Sequence, residues 1–158
     1  MAYAKSSDKN YLKMAIADYE SLLAKMPNNT GVAMILNNLA YVLAENDERL
    51  SDALGYAKRA LDAKPNDPGV LDTYAYVLLK NGQISQAAAF LAAALQQYQQ
   101  NKITFPAQIY AHQGMIKEKL GAKTEALAAY KRALEVGADT LSPTARRQIE
   151  RAIERVSP

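Results

Sequence analysis

The chain contains no cysteine, no tryptophan and a single histidine among its 158 residues. Without cysteine, disulfide bonds, thiolate metal sites and cysteine nucleophiles are all excluded. A single histidine also excludes metal sites built from several histidines. We therefore predict no metal and no cofactor. Because a chain without thiols suits the cytoplasm and the periplasm equally, the compartment stays unknown.

Long apolar stretches are also missing. The longest unbroken apolar run is Ala87–Leu95, and spanning a bilayer takes about 20 residues. The first residues of the chain lack the apolar segment of a signal peptide. We expect a soluble protein without membrane insertion, and we expect that a targeting signal, if there is one, lies outside this chain.

Glycine and proline are scarce, with seven and six residues, while 49% of the chain is hydrophobic. Alanine and leucine dominate, and both favour helices. The net charge is only +3, and no segment holds a dense basic run. Glu150 and Glu154 interrupt the arginines of the last predicted helix, so nucleic-acid binding is not predicted.

An internal repeat dominates the sequence. Four alanines mark it at spacings of 38, 34 and 39 residues, at Ala15, Ala53, Ala87 and Ala126. Each of the last three follows a segment with one small residue, and in the first two of these segments large apolar residues lie three and four apart around it. These small residues are Ala40, Ala75 and Gly114. Such a pattern predicts pairs of helices that cross closely and stack on their neighbours.

The pattern resembles the tetratricopeptide repeat, a helix–turn–helix unit. The resemblance implies an all-α fold, a right-handed α-solenoid with a C-terminal capping helix, and a non-catalytic scaffold that binds a protein or peptide. The predicted units are the second helix of a truncated repeat over 1–31, repeats over 32–67 and 68–101, a divergent repeat over 102–138, and a capping helix over 139–158. Because the first unit lacks its first helix, we expect a fragment of a longer array.

Local signals place the helix ends. Asp67-Pro68 and Ser142-Pro143 are typical helix starts, with a capping side chain before a proline. Gly82, Gly121 and Gly137 follow helix ends and predict left-handed residues there. The predicted helices cover 8–26, 32–45, 50–63, 68–80, 84–99, 105–120, 123–136 and 142–156. Pro27 closes the helical half unit that precedes the first full repeat.

The resemblance also implies where a partner binds, because the first helix of each repeat lines the concave groove of this family. The groove residues expected here are Asn37, Asn38, Tyr41, Glu45, Asp72, Thr73, Tyr76, Lys80, Ala111, His112, Met115 and Lys119. Within this set, the equivalent residues Tyr41, Tyr76 and Met115 form a predicted ladder of apolar contacts. The alternative is that each tyrosine packs on the neighbouring unit.

Some family members hold a partner's C-terminal carboxylate with a clamp of lysine, asparagine and arginine. The corresponding positions here are Asn37, Tyr41, Thr73, Gln108 and His112, which lack the basic residues, so binding to a chaperone C-terminus is not predicted.

Catalysis is not predicted either. His112 falls in the middle of a predicted helix with no strained nucleophile turn nearby, and we expect it to be a partly exposed groove residue. The carboxylates are scattered, and no glycine-rich phosphate loop is present. The prediction is no catalytic residue and no enzyme.

The helix over 84–99 carries a small, uncharged outer surface. After its core positions are assigned, the residues left for the convex side are Ala89, Phe90, Ala92, Ala93 and Gln96. Charges are depleted in interface cores, so this patch is a candidate contact with a partner or a second copy. Two alternatives to groove binding therefore stay open. One is a structural module that self-associates. The other is an accessory domain of a larger envelope or secretion machine, since the segment before Pro68 resembles bacterial repeat proteins.

Overall fold

The structure is a computed structural model that describes residues 9–26 and 31–158. Within these residues it contains eight α-helices and no β-strand. The helices are α1 (Lys9–Lys25), α2 (Val32–Glu45), α3 (Leu50–Ala63), α4 (Pro68–Lys80), α5 (Ile84–Gln100), α6 (Ala107–Lys119), α7 (Lys123–Val136) and α8 (Pro143–Val156). The fold is an all-α helical repeat, as the sequence predicts.

The predicted helix ends agree with these bounds to within two residues. Both predicted caps are present. Asp67 Oδ1 accepts hydrogen bonds from the backbone nitrogens of Gly69 and Val70 at 2.9 and 3.0 Å. Ser142 Oγ accepts one from the nitrogen of Ala145 at 3.1 Å. These bonds satisfy donors that the first turn of a helix leaves without a partner. The predicted helix start at residue 8 and the repeat end at Pro27 lie outside the described residues.

The helices form two compact units, which are described separately. The first unit ends at Lys102 and holds α1 to α5. In it α2 packs against α3 and α4 against α5, and α4 also contacts α2 and α3. The small repeat residues are the crossing points, since Ala40, Ala53, Ala75 and Ala87 are all fully buried. Their lack of bulk lets the helices approach closely, as the repeat pattern predicts.

The second unit begins at Ile103 and holds α6, α7 and α8. Its core joins Ala111 of α6 and Tyr130 of α7 to an apolar stripe of α8. The stripe consists of Ile149, Ala152 and Val156. A Cβ on Gly114 would lie 2.6 Å from two ring carbons of Tyr130. The absence of a side chain at this position is therefore what admits the tyrosine ring.

A hydrogen-bonded carboxylate joins the three helices of the second unit. Glu118 of α6 accepts a hydrogen bond from the Tyr130 hydroxyl at 2.8 Å and pairs with Arg155 of α8 at 2.5 Å. The Arg155 hydrogen bond, followed by the one from Tyr130, holds the pKa of Glu118 below its ordinary value, although partial burial opposes this. Burial and the same carboxylate raise the pKa of Tyr130.

Two of the three predicted left-handed glycines are confirmed. Gly82 and Gly121 have φ angles of 76° and 77°. The prediction for Gly137 is wrong, because its φ is −92°. A Cβ on Gly137 would lie 2.8 Å from Ala107 Cβ and closer still to the Leu141 side chain. Close packing, rather than a left-handed backbone, accounts for this glycine.

Across residues 9–26 and 31–158, no helix has both the length and the apolar character needed to cross a membrane.

Candidate functional site

The first unit brings eight of the predicted groove residues onto two adjacent helices, α2 and α4. We call this surface the α2–α4 face. From α2 it has Asn37, Asn38, Tyr41 and Glu45, and from α4 it has Asp72, Thr73, Tyr76 and Lys80. Spacings of four residues place side chains on the same side of a helix, which is why 37, 41 and 45 align with 72, 76 and 80.

Two stacked tyrosines form the centre of the α2–α4 face. The ring centroids of Tyr41 and Tyr76 lie 5.5 Å apart, with the planes tilted by 36°. This separation is typical of favourable aromatic pairs. Tyr41 is half-buried, whereas only 6% of Tyr76 is exposed. Tyr76 thus acts as the base on which the more accessible Tyr41 ring rests.

Acidic groups surround these rings. Burial raises the pKa of Tyr41 well above its ordinary value, and the charge of Glu45 and a hydrogen bond to its carboxylate raise it further. Burial also raises the pKa of Tyr76, with smaller contributions from Glu45 and Asp47. Both hydroxyls therefore stay protonated throughout the physiological pH range.

The end of α4 is fixed by the loop between α2 and α3. Lys80 Nζ lies 2.5 Å from Asp47 Oδ1. The side-chain nitrogen of Asn81 donates hydrogen bonds to the backbone oxygens of Leu50 and Val77, at 3.1 and 2.9 Å. Asp47 has a positive φ of 54°, a conformation that aspartate tolerates better than most residues. This loop therefore holds the rim of the α2–α4 face in place.

Several residues that were predicted to be exposed in the groove are nearly buried. Asn38 and Glu45 are exposed and Lys80 is partly exposed, as predicted. In contrast, Asn37, Asp72, Thr73 and Tyr76 are 6–9% exposed. Asp72, Thr73 and Tyr76 are covered because α4 packs against α2, α3 and α5, and Asn37 is covered because α2 packs against α1, α3 and α4. A role for these residues in partner binding stays a prediction.

In the second unit the prediction of exposed groove residues is wrong at two positions. His112 is 3% exposed because it follows the same stripe of α6 as Ile109 and Ile116, which are fully or almost fully buried. Ala111 is 7% exposed and belongs to the core cluster that includes α8. Met115 is half-buried against this cluster. Of the groove residues predicted on α6, Lys119 is the exposed one.

The predicted convex patch on α5 is only partly available. Ala89, Ala92 and Gln96 are exposed and Ala93 is half-buried. Phe90 is only half-exposed, because its ring packs edge-on against Tyr74 of α4 with centroids 4.7 Å apart. Part of its aromatic surface thus packs within the α4–α5 pair, and its role in an interface stays a prediction.

Two residues at the α2–α4 face were not identified by the sequence analysis. Met34 is 41% exposed and lies three residues before Asn37, on the same side of α2. Tyr98, near the end of α5, is buried, and its burial and the charges of Asp72 and Asp67 raise its pKa to about 12. Helical spacing could have indicated Met34. Tyr98 comes to this region only through tertiary packing.

Among the described residues, no group of three or more histidine, aspartate or glutamate side chains is placed to hold a metal ion.

A family model described as tetratricopeptide repeat matches residues 46–103. Over these residues the chain is similar to tetratricopeptide repeats. A TPR repeat-containing protein of Pseudomonas aeruginosa is 30% identical over 95 residues, which are 60% of this chain and 16% of that protein. The chain thus spans about a sixth of the length of this relative. Tetratricopeptide repeats generally mediate protein–protein interactions and are generally non-catalytic scaffolds.

Solved tetratricopeptide structures share the fold. A thermophilic TPR protein from Thermus thermophilus is 23% identical, with a TM-score of 0.65 over 92% of this chain and 74% of that one. A tetratricopeptide repeat protein from Parabacteroides merdae is 19% identical, with a TM-score of 0.58 over 94% and 55%. The first TPR domain of Spaghetti (RPAP3), bound to the HSP90 peptide SRMEEVD, is 17% identical, with a TM-score of 0.55 over 80% and 96%.

Proposed function

We propose that this chain is a non-catalytic scaffold that binds an extended peptide or a segment of a partner protein on the α2–α4 face. The observation that carries the proposal is the pair of tyrosines at the centre of this face, with exposed side chains around them. Tyr41 rests on the buried Tyr76 ring at 5.5 Å, so it is held in place before a partner arrives.

The exposed side chains of the face have the chemistry of a contact surface. Met34 exposes 41% of a flexible apolar side chain on the same side of α2 as Tyr41. Methionine adapts its shape to a ligand, and a rigid tyrosine contributes a large contact area. The exposed Asn38 and Glu45 supply hydrogen-bonding groups at the edge. An apolar centre with a polar rim is the usual arrangement of an interface.

The proposal is tested by comparing Tyr41→Ala with the control Tyr56→Ala in affinity capture from the source organism. Tyr56 is another half-buried tyrosine of the first unit, but it lies on α3. Truncating a central interface tyrosine costs about 2 kcal/mol, which is roughly a thirtyfold loss of affinity. We expect the partner to be lost with Tyr41→Ala alone, with both variants folded by circular dichroism. Equal capture by the wild type and Tyr41→Ala would exclude this face.

Self-association through α5 is a second candidate function. Its support is the exposure of the uncharged residues Ala89, Ala92 and Gln96. The double variant Ala92→Glu and Ala93→Lys places charges in this patch. A concentration-dependent dimer mass that the double variant abolishes would support the candidate, and a monomer at every concentration would refute it.

A further inference from the structure

Two residues of α1 are more exposed than their counterparts in every later repeat. Leu22 is 42% exposed and Tyr19 is half-buried. In the later repeats the residues at these two positions are at most 4% exposed. At the position of Tyr19 they are Ala57, Leu91 and Tyr130, and at the position of Leu22 they are Ala60, Ala94 and Ala133. In each later repeat the second helix packs against the first helix of the same repeat, whereas α1 packs mainly against α2, the helix that follows it.

A stripe of α2 shows the same difference. Asn38 is exposed, and Ile35 and Val42 are half-buried. Their counterparts on α4, which are at most 6% exposed, are Thr73, Val70 and Val77. This stripe of α4 is covered by α2, since Val70 lies in one apolar cluster with Leu36. Among the described helices of the first unit, none packs in this way on α2 itself.

Together these residues form a groove of a kind that the chain fills itself one repeat later. There α2 packs against both α3 and α4, which also contact each other. Their counterparts α1 and α2 contact each other in the same way. We call the surface of Tyr19, Leu22, Ile35, Asn38 and Val42 the α1–α2 groove. Because a helix fills the equivalent place against α3 and α4, the matching occupant is an amphipathic helix that runs antiparallel to α1.

Tyr19 determines which residue the occupant places against it. It has the repeat position of Tyr130, and a Cβ on the facing Gly114 would lie 2.6 Å from the ring of Tyr130. A tyrosine at this position thus requires glycine on the helix that covers it. The Tyr130 hydroxyl also donates a hydrogen bond to Glu118, four residues after the glycine, at 2.8 Å. A glycine followed four residues later by a carboxylate therefore fits Tyr19.

Asp18 determines the charge of the occupant. It has the repeat position of Phe90, whose ring packs against Tyr74, the residue before Ala75. The residue before the small one on the covering helix therefore faces Asp18, which is exposed on α1. A lysine or arginine at that place meets a charge of opposite sign.

Met14 adds an apolar contact. Its repeat position is that of Glu125, which pairs with Lys117, three residues after Gly114. Met14 is 61% exposed. An apolar residue three positions after the glycine of the occupant would remove part of this surface from water.

We propose that the α1–α2 groove binds an amphipathic helix of a partner protein in which a lysine or arginine precedes a glycine, with an apolar residue three and a carboxylate four positions after the glycine. The inference goes beyond the proposed function, because Tyr19 and Leu22 lie outside the α2–α4 face, although Asn38 is common to both surfaces. A second copy does not supply this sequence, since no lysine or arginine of the chain precedes a glycine. Its last helix, α8, contains no glycine and exposes Arg147 and Arg151.

The test uses a fluorescently labelled peptide with the sequence of α2 and the changes Leu39→Lys, Ala40→Gly and Ala44→Glu. Leu43 of this sequence already lies three positions after the new glycine. Binding to the full chain is measured by fluorescence anisotropy, and we expect binding that a scrambled peptide does not show. A peptide with Leu39→Glu should bind about tenfold more weakly. One with Ala40→Leu should lose a similar factor, about tenfold, because its side chain overlaps the Tyr19 ring.

Variants of the chain identify the groove as the binding site. Leu22→Glu places a charge among apolar contacts and should weaken binding about thirtyfold. The control Leu120→Glu changes a leucine of the second unit that is 51% exposed, and it should change binding less than about twofold. Asp18→Lys should reverse the charge preference, so that the peptide with Leu39→Glu binds more tightly than the one with Leu39→Lys.

Each outcome decides the inference. Equal binding of the scrambled peptide, or unchanged binding to Leu22→Glu, would show that the groove is not the site. An unaltered charge preference with Asp18→Lys would overturn the proposed recognition. If the chain dimerises and Leu22→Glu abolishes the dimer, the occupant is a second copy and the partner-protein proposal is wrong. Circular dichroism checks that Leu22→Glu is folded, and the exposed Asp18→Lys gives a decisive result even if it is not. The proposed function is tested separately, through Tyr41.

Discussion

Replacing Gly114 with alanine should destabilise the second unit, even though alanine is the better helix former. The new Cβ would lie 2.6 Å from Cδ1 and Cε1 of Tyr130. Tyr130 is fully buried and its hydroxyl is bonded to Glu118 at 2.8 Å, so the ring cannot turn aside without losing that bond. Overpacking of this kind costs about 1–3 kcal/mol. The gain in helix propensity offsets about 1 kcal/mol, so the expected net loss is up to about 2 kcal/mol in the free energy of unfolding.

Urea unfolding followed by circular dichroism measures this loss, and the chain contains a matched control. Gly55 lies inside α3, and a Cβ there would meet nothing within 4 Å. Gly55→Ala should therefore raise the free energy of unfolding by about 0.5–1 kcal/mol. If Gly114→Ala is as stabilising as Gly55→Ala, the account of the Gly114–Tyr130 contact is wrong.

A second variant relieves the overlap. Leu91 occupies the repeat position of Tyr130 and follows an alanine, Ala75, at the position of Gly114. In a Tyr130→Leu background, Gly114→Ala should lose its penalty and become neutral or stabilising. The difference between the two backgrounds is the coupling energy of the pair. A penalty of equal size in both backgrounds would contradict a steric origin.

Three further changes test other contacts. Asp67→Ala removes the cap of α4 and should lower the free energy of unfolding by about 1 kcal/mol in urea, whereas Asp67→Asn should retain most of it. Gly137→Ala drives a Cβ into Leu141 and should cost about 1–3 kcal/mol in thermal unfolding; an unchanged melting temperature would refute this. The Arg155 hydrogen bond lowers the pKa of Glu118, so its stabilisation is complete above the ordinary glutamate pKa and is lost as pH falls below it. Glu118→Gln should flatten this acid dependence of stability, and an unaltered profile would contradict the assignment.

The helices could be predicted from the sequence because their signals are local. Asp67-Pro68 and Ser142-Pro143 begin α4 and α8 as predicted, since the capping bonds involve only the next two or three residues. Gly137 shows the limit of such signals. A glycine after a helix end usually adopts a left-handed conformation, but here the nearby Leu141 and Ala107 require the absence of a side chain.

The candidate site was harder to predict, because exposure depends on neighbouring helices. Asn38, Thr73 and His112 occupy equivalent repeat positions, yet only Asn38 is exposed. On α4, Thr73 lies on one stripe with Val70 and Val77, which are almost completely buried. A repeat register identifies the equivalent side of each helix, but it contains no information on which helices cover that side. The side-chain oxygen of Asn37, which is buried without a hydrogen-bond partner, depends on tertiary packing in the same way.

The pairing of Gly114 with Tyr130 also limits how the repeats can be exchanged. By repeat position the three units combine Ala40 with Ala57, Ala75 with Leu91, and Gly114 with Tyr130. As the residue on the second helix grows from alanine through leucine to tyrosine, the facing residue shrinks to glycine in the last unit. A hybrid that joined α4 to α7 would place Ala75 where Tyr130 demands glycine. Recombination within this array is therefore expected to succeed when it moves whole helical hairpins and to fail when it cuts between the two helices of one.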